Sequence, residues 1–337
     1  MLSYTSEQPT RRGVAVTITH RNIQTNGINM RIAEAGEGPL VVMCHGFPES
    51  WYSWRHQIEA LAEAGYHAVA PDQRGYGKTD RPRKIESYSI MHLVGDIVGL
   101  VGALGEQDAV VAGHDWGAPV AWNCALMRHD VFRAVISLSV PWGPRPPQAP
   151  LKSMKQMFGD RFFYQLYFQN PGVAEHELQH DVKVTMRKML FGASGSVNRR
   201  SMVDDIESVP HKSSYMLERM PDPGDELPDW LTKEDIEYFA GEFEEAGFRG
   251  GLNWYRNIDR NWALSAAYSG ARIIQPALFI TGEFDVVPYN EGMRGLMQSV
   301  VPNLREPMVL PGVGHWTQQE APTEVSSAMI EFLNSLN

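Results

Sequence analysis

Residues 113–117 read Gly113-His114-Asp115-Trp116-Gly117 and follow the apolar run Ala109-Val110-Val111-Ala112. Two glycines flanking a central polar residue, straight after a strand-like run, are the layout of a tight strand-to-helix turn that holds one side chain out into a site. Such turns usually carry a serine; this one carries an aspartate. A carboxylate is already ionised near neutral pH and attacks an electrophilic carbon without first giving up a proton. Attack on a saturated carbon leaves an alkyl ester. The same five residues also fit an aspartate that only caps the helix starting at Trp116, so partners elsewhere in the chain decide between the two readings.

Three stretches supply such partners. Gly312-Val313-Gly314-His315-Trp316 follows a strand-like run ending at Leu310, and a histidine in a glycine-rich loop after a late strand suits a general base. Gly282-Glu283-Phe284-Asp285 follows Ala277–Thr281. An acid there can accept the imidazole N–H, fix its tautomer and stabilise the imidazolium. Asp285 is favoured by its distance from the strand end, and Glu283 stays open as an alternative. His45-Gly46-Phe47-Pro48 follows the strand-like Leu40–Met43, where a loop can aim a backbone N–H at a developing oxyanion; the donors would be the amides of Phe47 and Trp116. The order nucleophile, acid, histidine at 115, 285 and 315 is that of a sheet hydrolase. An alkyl-ester route suits epoxides or alkyl halides better than esters and amides.

The elements that must position these groups alternate between strands and helices. Val14–His20 and Met30–Ala33 read as an antiparallel pair around Asn26-Gly27. Strands at 40–43, 67–70, 109–112 and 134–140 alternate with helices at 52–64, 89–104 and 116–127; strands at 277–281 and 305–310 alternate with helices at 291–300 and 324–336. The pattern predicts an α/β fold with a mostly parallel sheet flanked by helices. It breaks at the proline-rich stretch 141–150, after which 151–268 reads as mostly helical. The expected organisation is a first core half at 1–143, an inserted helical cap at 144–268 and a second core half at 269–337. The run Glu242-Phe243-Glu244-Glu245 reads as a solvated helix face.

Composition narrows the class. The 337 residues are 43% hydrophobic and 21% charged, with 30 Lys and Arg against 40 Asp and Glu, a formal charge of −10. That is an ordinary globular make-up with no basic stripe, which argues against nucleic acid as a partner. No run approaches the roughly 18–20 apolar residues of a membrane helix, and Met1 to Arg12 has no apolar core resembling a secretory signal. Cys44 and Cys124 are too few for a disulfide framework and read as buried thiols, so a cytoplasmic location is expected. Gly77-Lys78-Thr79 ends like a phosphate-binding loop, but Asp72 stands where its first glycine belongs. His176 and His180 have metal-ligand spacing without a third ligand nearby.

Taken together, the stretches His45-Gly46-Phe47-Pro48-Glu49-Ser50, Asp72-Gln73-Arg74-Gly75-Tyr76-Gly77, Gly113–Gly117 and Gly314-His315-Trp316 make the chain resemble a soluble epoxide hydrolase of the α/β-hydrolase superfamily. Tyr164-Gln165-Leu166-Tyr167-Phe168, Tyr167 to Glu175 and Asn253-Trp254-Tyr255-Arg256-Asn257 add a likeness to the hydrolase domain of the mammalian-type enzymes, and the likeness covers nearly all of 30–335. The amino-terminal phosphatase domain of the animal enzymes has no counterpart, so phosphatase activity is not implied. The resemblance implies an α/β-hydrolase fold with a cap, nucleophile Asp115, base His315, orienting acid Asp285, and two ring-oxygen donors, Tyr164 and Tyr255; Tyr167 is the neighbour most easily confused with Tyr164. The substrate pocket is expected at His45, Gly46, Pro48, Trp116, Gln165 and Trp316. The implied reaction turns an epoxide and water into a vicinal diol through a hydroxyalkyl-aspartyl ester, with no metal or organic cofactor. The expected partners are a small-molecule epoxide and water, with no nucleic acid or membrane, in a monomer or homodimer. The rival readings are a haloalkane or haloacid dehalogenase, which would hold a halide instead of protonating an alkoxide, and a non-catalytic small-molecule receptor on the same fold.

Overall fold

The computed structural model describes residues 16–197 and 215–336. β1 (Thr19–Thr25) and β2 (Ile28–Ala35) pair antiparallel, with Thr25 opposite Ile28. Asn26 and Gly27, at φ 43° and 76°, supply the left-handed pair that a two-residue hairpin turn needs. The first strand therefore begins later than the expected 14–20, of which residues 14 and 15 lie outside the described residues. The turn fixes the register, and β1 is an edge strand with only Ile23 and Thr25 buried, so the apolar residues at 14–18 were a poor guide to it.

β3 (Leu40–Cys44), β4 (His67–Pro71), β5 (Ala109–His114), β6 (Phe132–Leu138), β7 (Ala277–Gly282) and β8 (Met308–Leu310) complete an eight-stranded sheet in the order β1-β2-β4-β3-β5-β6-β7-β8. β2 meets β4 antiparallel; the pairs from β4 through β8 are parallel. β3, β5 and β7 are buried along their whole length, as expected of strands covered on both faces. One face carries α1 (Arg55–Glu63), placing Trp54, Ile58 and Leu61 against Val325, Met329 and Phe332 of the chain's last helix. The other carries α2 (Ile90–Ala103) and α3 (Gly117–Met127), whose Leu93, Ile97 and Trp122 join a core that continues into the helices above the sheet.

Those helices lie between β6 and β7: α4 (Pro150–Phe158), α5 (Tyr164–Tyr167), α6 (Val173–Leu178), α7 (Val182–Gly192), α8 (Lys233–Ala246), α9 (Arg249–Arg256) and α10 (Ile258–Leu264). α11 (Glu291–Val300), α12 (Thr317–Glu320) and α13 (Pro322–Asn334) follow in the second half. α8 is not a purely solvated face at 242–245: Phe243 is buried and stacks on Phe248, and Glu242 turns toward the core, because the helix packs along the seam between sheet and cap. Among the described residues no helix is long and apolar enough to cross a membrane.

Two features of the fold position the site. The loops after β3, β5, β7 and β8 leave the same carboxyl edge of the parallel strands, which gathers residues 45–48, 115, 285 and 315. The second feature is Gly250-Gly251 in α9. A β-carbon on Gly250 would overlap the carbonyl of Gly75, and one on Gly251 would run into the Phe47 ring and the Tyr76 hydroxyl. Two glycines cost a helix about 1 kcal/mol each relative to alanine. Here they let α9 seat directly on the core, where Trp254 Nε1 donates to the Arg74 carbonyl at 3.1 Å.

Candidate active site

Asp115 leaves β5 with φ 48°, a conformation that costs an L-residue roughly 1–2 kcal/mol and aims its side chain away from both flanking elements. The flanking glycines are steric requirements. A β-carbon on Gly113 would overlap the Gly117 carbonyl, and one on Gly117 the Cys44 carbonyl of β3. The cap reading of Asp115 does not describe its contacts: Oδ1 accepts the Phe47 N–H at 2.8 Å, and Oδ2 lies 3.4 Å from His315 Nε2. His315 Nδ1 lies 2.8 Å from Asp285 Oδ1. Asp285 is fixed in turn by the Val287 N–H on Oδ1 and the Thr281 hydroxyl on Oδ2. Glu283, the open alternative, points elsewhere and accepts the Gly312 N–H at 2.9 Å, bracing the His315 loop.

The electrostatics follow from this chain of contacts. Burial works against charge on Asp115, but hydrogen bonding and charge from His315, the nearby His114 ring and the Phe47 N–H outweigh it and hold its pKa below the ordinary carboxylate value. Burial also disfavours an imidazolium at His315, yet the carboxylates of Asp285 and Asp115 raise its pKa well above the usual histidine value. The acids on either side therefore favour the protonated form of His315 before substrate binds.

Across from Asp115 stand Tyr164 at the start of α5 and Tyr255 near the end of α9, with ring centroids 5.9 Å apart. Tyr255 packs edge-on against Trp116 at 5.1 Å and Phe47 at 5.5 Å. Burial, with the Asp115 charge adding to it, pushes the Tyr164 phenol up to about 12 and Tyr255 well above its ordinary value, so both hold their protons at neutral pH. Tyr167 is a different case: its hydroxyl donates to Glu177 at 2.8 Å inside the cap. The segment Tyr167 to Glu175 braces the tyrosine pair. Arg256 pairs with Glu175 at 2.7 Å and donates to the Phe168 carbonyl, and Gln169 donates to the Tyr255 carbonyl.

The expected pocket residues divide. Gly46 lies against the Asp115 carboxylate, Pro48 is buried behind the loop, and Gln165 donates to the Tyr164 hydroxyl at 3.0 Å. His45 and Trp316 are held inside the protein by backbone partners. His45 is fully buried, with Nδ1 on the Gly46 carbonyl and Nε2 accepting the Gln73 N–H, so both ring nitrogens hold backbone. Trp316 is also buried; its indole N–H donates to the Leu190 carbonyl and its ring packs edge-on against His315 at 4.9 Å. Trp116 borders a cavity of about 360 Å³, lined also by Pro119, Asn123, Leu126, Trp142 and Trp262. Trp116, Pro119, Asn123 and Leu126 share one face of the elbow and α3, so the cavity runs along the helix from the elbow.

Several supporting residues went unread in the sequence. Buried Glu49 accepts the Gly46 and Gln318 donors and lies 2.9 Å from His114 Nδ1, while His114 Nε2 donates to the His315 carbonyl at 2.7 Å. Ser139, at φ 69°, donates to that same carbonyl at 2.9 Å. Glu49 did stand in a recognised stretch, but nothing near it pointed to His114.

Residues 39–322 match the alpha/beta hydrolase fold family. The chain is 45% identical to epoxide hydrolase A of Mycobacterium tuberculosis over 94% of its own length and 98% of that protein. It is 39% identical to bifunctional epoxide hydrolase 2 of Sus scrofa over 92% of its length, spanning 54% of that longer protein. The crystal structure of epoxide hydrolase A from Mycobacterium thermoresistibile superposes with a TM-score of 0.87 at 45% identity, covering 94% of this chain and 98% of that one.

Proposed function

The chain belongs to the epoxide hydrolases of the α/β-hydrolase fold, and from that premise we propose that it makes diols in two steps through an ester on Asp115. In the first step an Asp115 oxygen attacks an epoxide carbon, the C–O bond of the ring breaks, and Tyr164 and Tyr255 donate hydrogen bonds to the opening oxygen, which takes its proton from one of the phenols, itself reprotonated from solvent. The product is a hydroxyalkyl ester of Asp115.

Esterification removes the Asp115 charge, one of the two that raise the His315 pKa. With that charge gone, His315 more readily gives up its proton and serves as base. It takes a proton from water, which attacks the ester carbonyl, while Asp285 stabilises the imidazolium that forms. The Phe47 and Trp116 amides serve the tetrahedral oxyanion; losing one such donor typically costs about 2.7–4 kcal/mol. The intermediate collapses by breaking the C–O bond to the diol, whose oxygen takes a proton from the His315 imidazolium, and the Asp115 carboxyl returns a proton to His315 and is restored as a carboxylate.

The observation that carries this reading is the Asp115 carboxylate bonded by the Phe47 N–H on one oxygen, within 3.4 Å of His315 on the other, and faced by two protonated phenols. A single turnover of a simple aryl epoxide in oxygen-18 water tests it. The first diol should be mostly unlabelled, because its new oxygen comes from Asp115. Full label in that first diol sinks the covalent route, and halide release from haloalkanes without diol formation from epoxides reverses the choice of substrate.

A further inference from the structure

Glu320 closes α12, shortly after His315. Its Oε2 accepts the Gly314 N–H at 3.0 Å and the Gly195 N–H at 2.8 Å, and its Oε1 accepts the Trp316 N–H at 3.0 Å. The amide between them, that of His315, donates to the Ala193 carbonyl at 2.9 Å. Three consecutive amides around the base are thus all held, two by one carboxylate and one by the chain end of α7. The Trp316 indole adds a bond to Leu190 on the same helix. The contact is tight: a β-carbon on Gly314 would overlap the Gly195 nitrogen, and one on Gly195 the Gly312 carbonyl.

We propose that Glu320 is the positioning residue for His315, one carboxylate that fixes the base loop on both sides of the histidine and ties it to the end of α7. The proposal rests on His315 acting as the base of ester hydrolysis. A carboxylate suits the place because three N–H donors converge on it and it offers only acceptors. A glutamine there presents one oxygen and one NH2 group, so at least one backbone N–H faces another donor and is left unpaired. Glu320 touches neither substrate nor the reacting atoms. Its effect runs through the aim of Nε2, which matters when water must be activated and little when Asp115 attacks the epoxide.

The two half-reactions are read apart by rapid quench with intact-mass detection of the ester, using styrene oxide and the full chain. In E320Q the alkylation rate constant should stay within about threefold of wild type. Ester hydrolysis should slow by roughly ten- to a hundredfold, the scale of a misplaced catalytic group, and ester should accumulate at steady state. E320D keeps the charge but not the reach and should recover part of the hydrolysis rate. Equal slowing of both steps in E320Q, or no slowing of hydrolysis, overturns the proposal. Should E320Q not fold, E320D takes its place, and equal slowing of both steps there overturns the proposal in the same way. His315→Gln separates the layers: ester trapped in that variant beside wild-type hydrolysis in E320Q refutes the Glu320 role alone, whereas no ester in any variant refutes the two-step reading and this proposal with it.

Discussion

Asp285→Asn isolates what the acid contributes to His315. In the wild type Oδ1 accepts both His315 Nδ1–H and the Val287 N–H, and Oδ2 accepts the Thr281 hydroxyl at 3.3 Å. An asparagine fits this pattern in one orientation. The Val287 N–H demands an oxygen at the Oδ1 position, and the Thr281 hydroxyl can accept from an NH2 at the other. The histidine tautomer is then kept, and only the charge is lost. One charge at roughly 4 Å in an effective dielectric of about 20 is worth up to about 4 kcal/mol, an upper bound near 10³-fold in rate. The expected loss is about 10²- to 10³-fold, confined to ester hydrolysis, against the ~10⁴-fold seen in serine proteases when the tautomer is wrong. The acid limb of the hydrolysis step should also move. Losing a carboxylate lowers the His315 pKa, so neutral imidazole persists to lower pH in the variant even as the plateau rate falls. Rapid-quench measurement of both rate constants across pH checks this. A loss of 10⁴-fold or more, or an acid limb that moves upward, refutes the argument from Val287.

Tyr255→Phe removes one of two donors to the opening oxygen and should slow alkylation by about 1.5–3 kcal/mol, roughly ten- to a hundredfold, with hydrolysis of the ester unchanged; a hydrolysis defect instead would place Tyr255 outside ring opening. Gly117→Ala puts a β-carbon into the Cys44 carbonyl and should yield little folded protein, whereas Gly102→Ala meets nothing within 4 Å near the end of α2 and should stabilise by up to about 1 kcal/mol in denaturant unfolding. Glu242 faces Asp72 across the cap seam, with Lys78, Arg31 and its own helix neighbour Glu245 nearby, and burial raises its pKa to about 7. The folded state holds that proton more tightly than the unfolded chain, so the stability this gives is full at low pH and is lost as pH rises through about 7. The melting temperatures of wild type and Glu242→Gln should converge near pH 4, separate in favour of the variant as pH rises from about 4.5 to about 7, and keep a constant gap above that; curves that stay parallel from pH 4 to 7 would show that Glu242 is not held protonated.

What the sequence revealed and what it hid divide along a physical line. Asp115, His315, Asp285 and the loop at 45–48 were legible because each follows a strand and sits among residues that its local geometry demands. The elbow cannot be built without Gly113 and Gly117, and parallel strands bring the four loops to one edge. The supports carry no such signature. Glu49 reaches His114 across 65 positions, His114 reaches the His315 carbonyl across 201, and Ser139 reaches it across 176. A buried polar side chain is placed by the partner it must satisfy, and that partner exists only once the sheet has formed.

Gly250-Gly251 shows how such a signal can still be found. Inside the α9 pattern the pair is a local liability of about 2 kcal/mol that no turn or cap explains. A helix that keeps such a pair gains something by close approach. Here the approach is to Gly75, Phe47 and Tyr76, and four residues beyond Gly251 along α9 stands Tyr255. One helical turn separates the two positions, so they project from the same face. Whatever brings Gly251 onto Phe47 of the loop at 45–48 therefore brings Tyr255 over Asp115. The unfavourable pair and the placement of the Tyr255 phenol are two consequences of one docking geometry, and a β-carbon at Gly251 should lift the phenol away from the elbow without touching it.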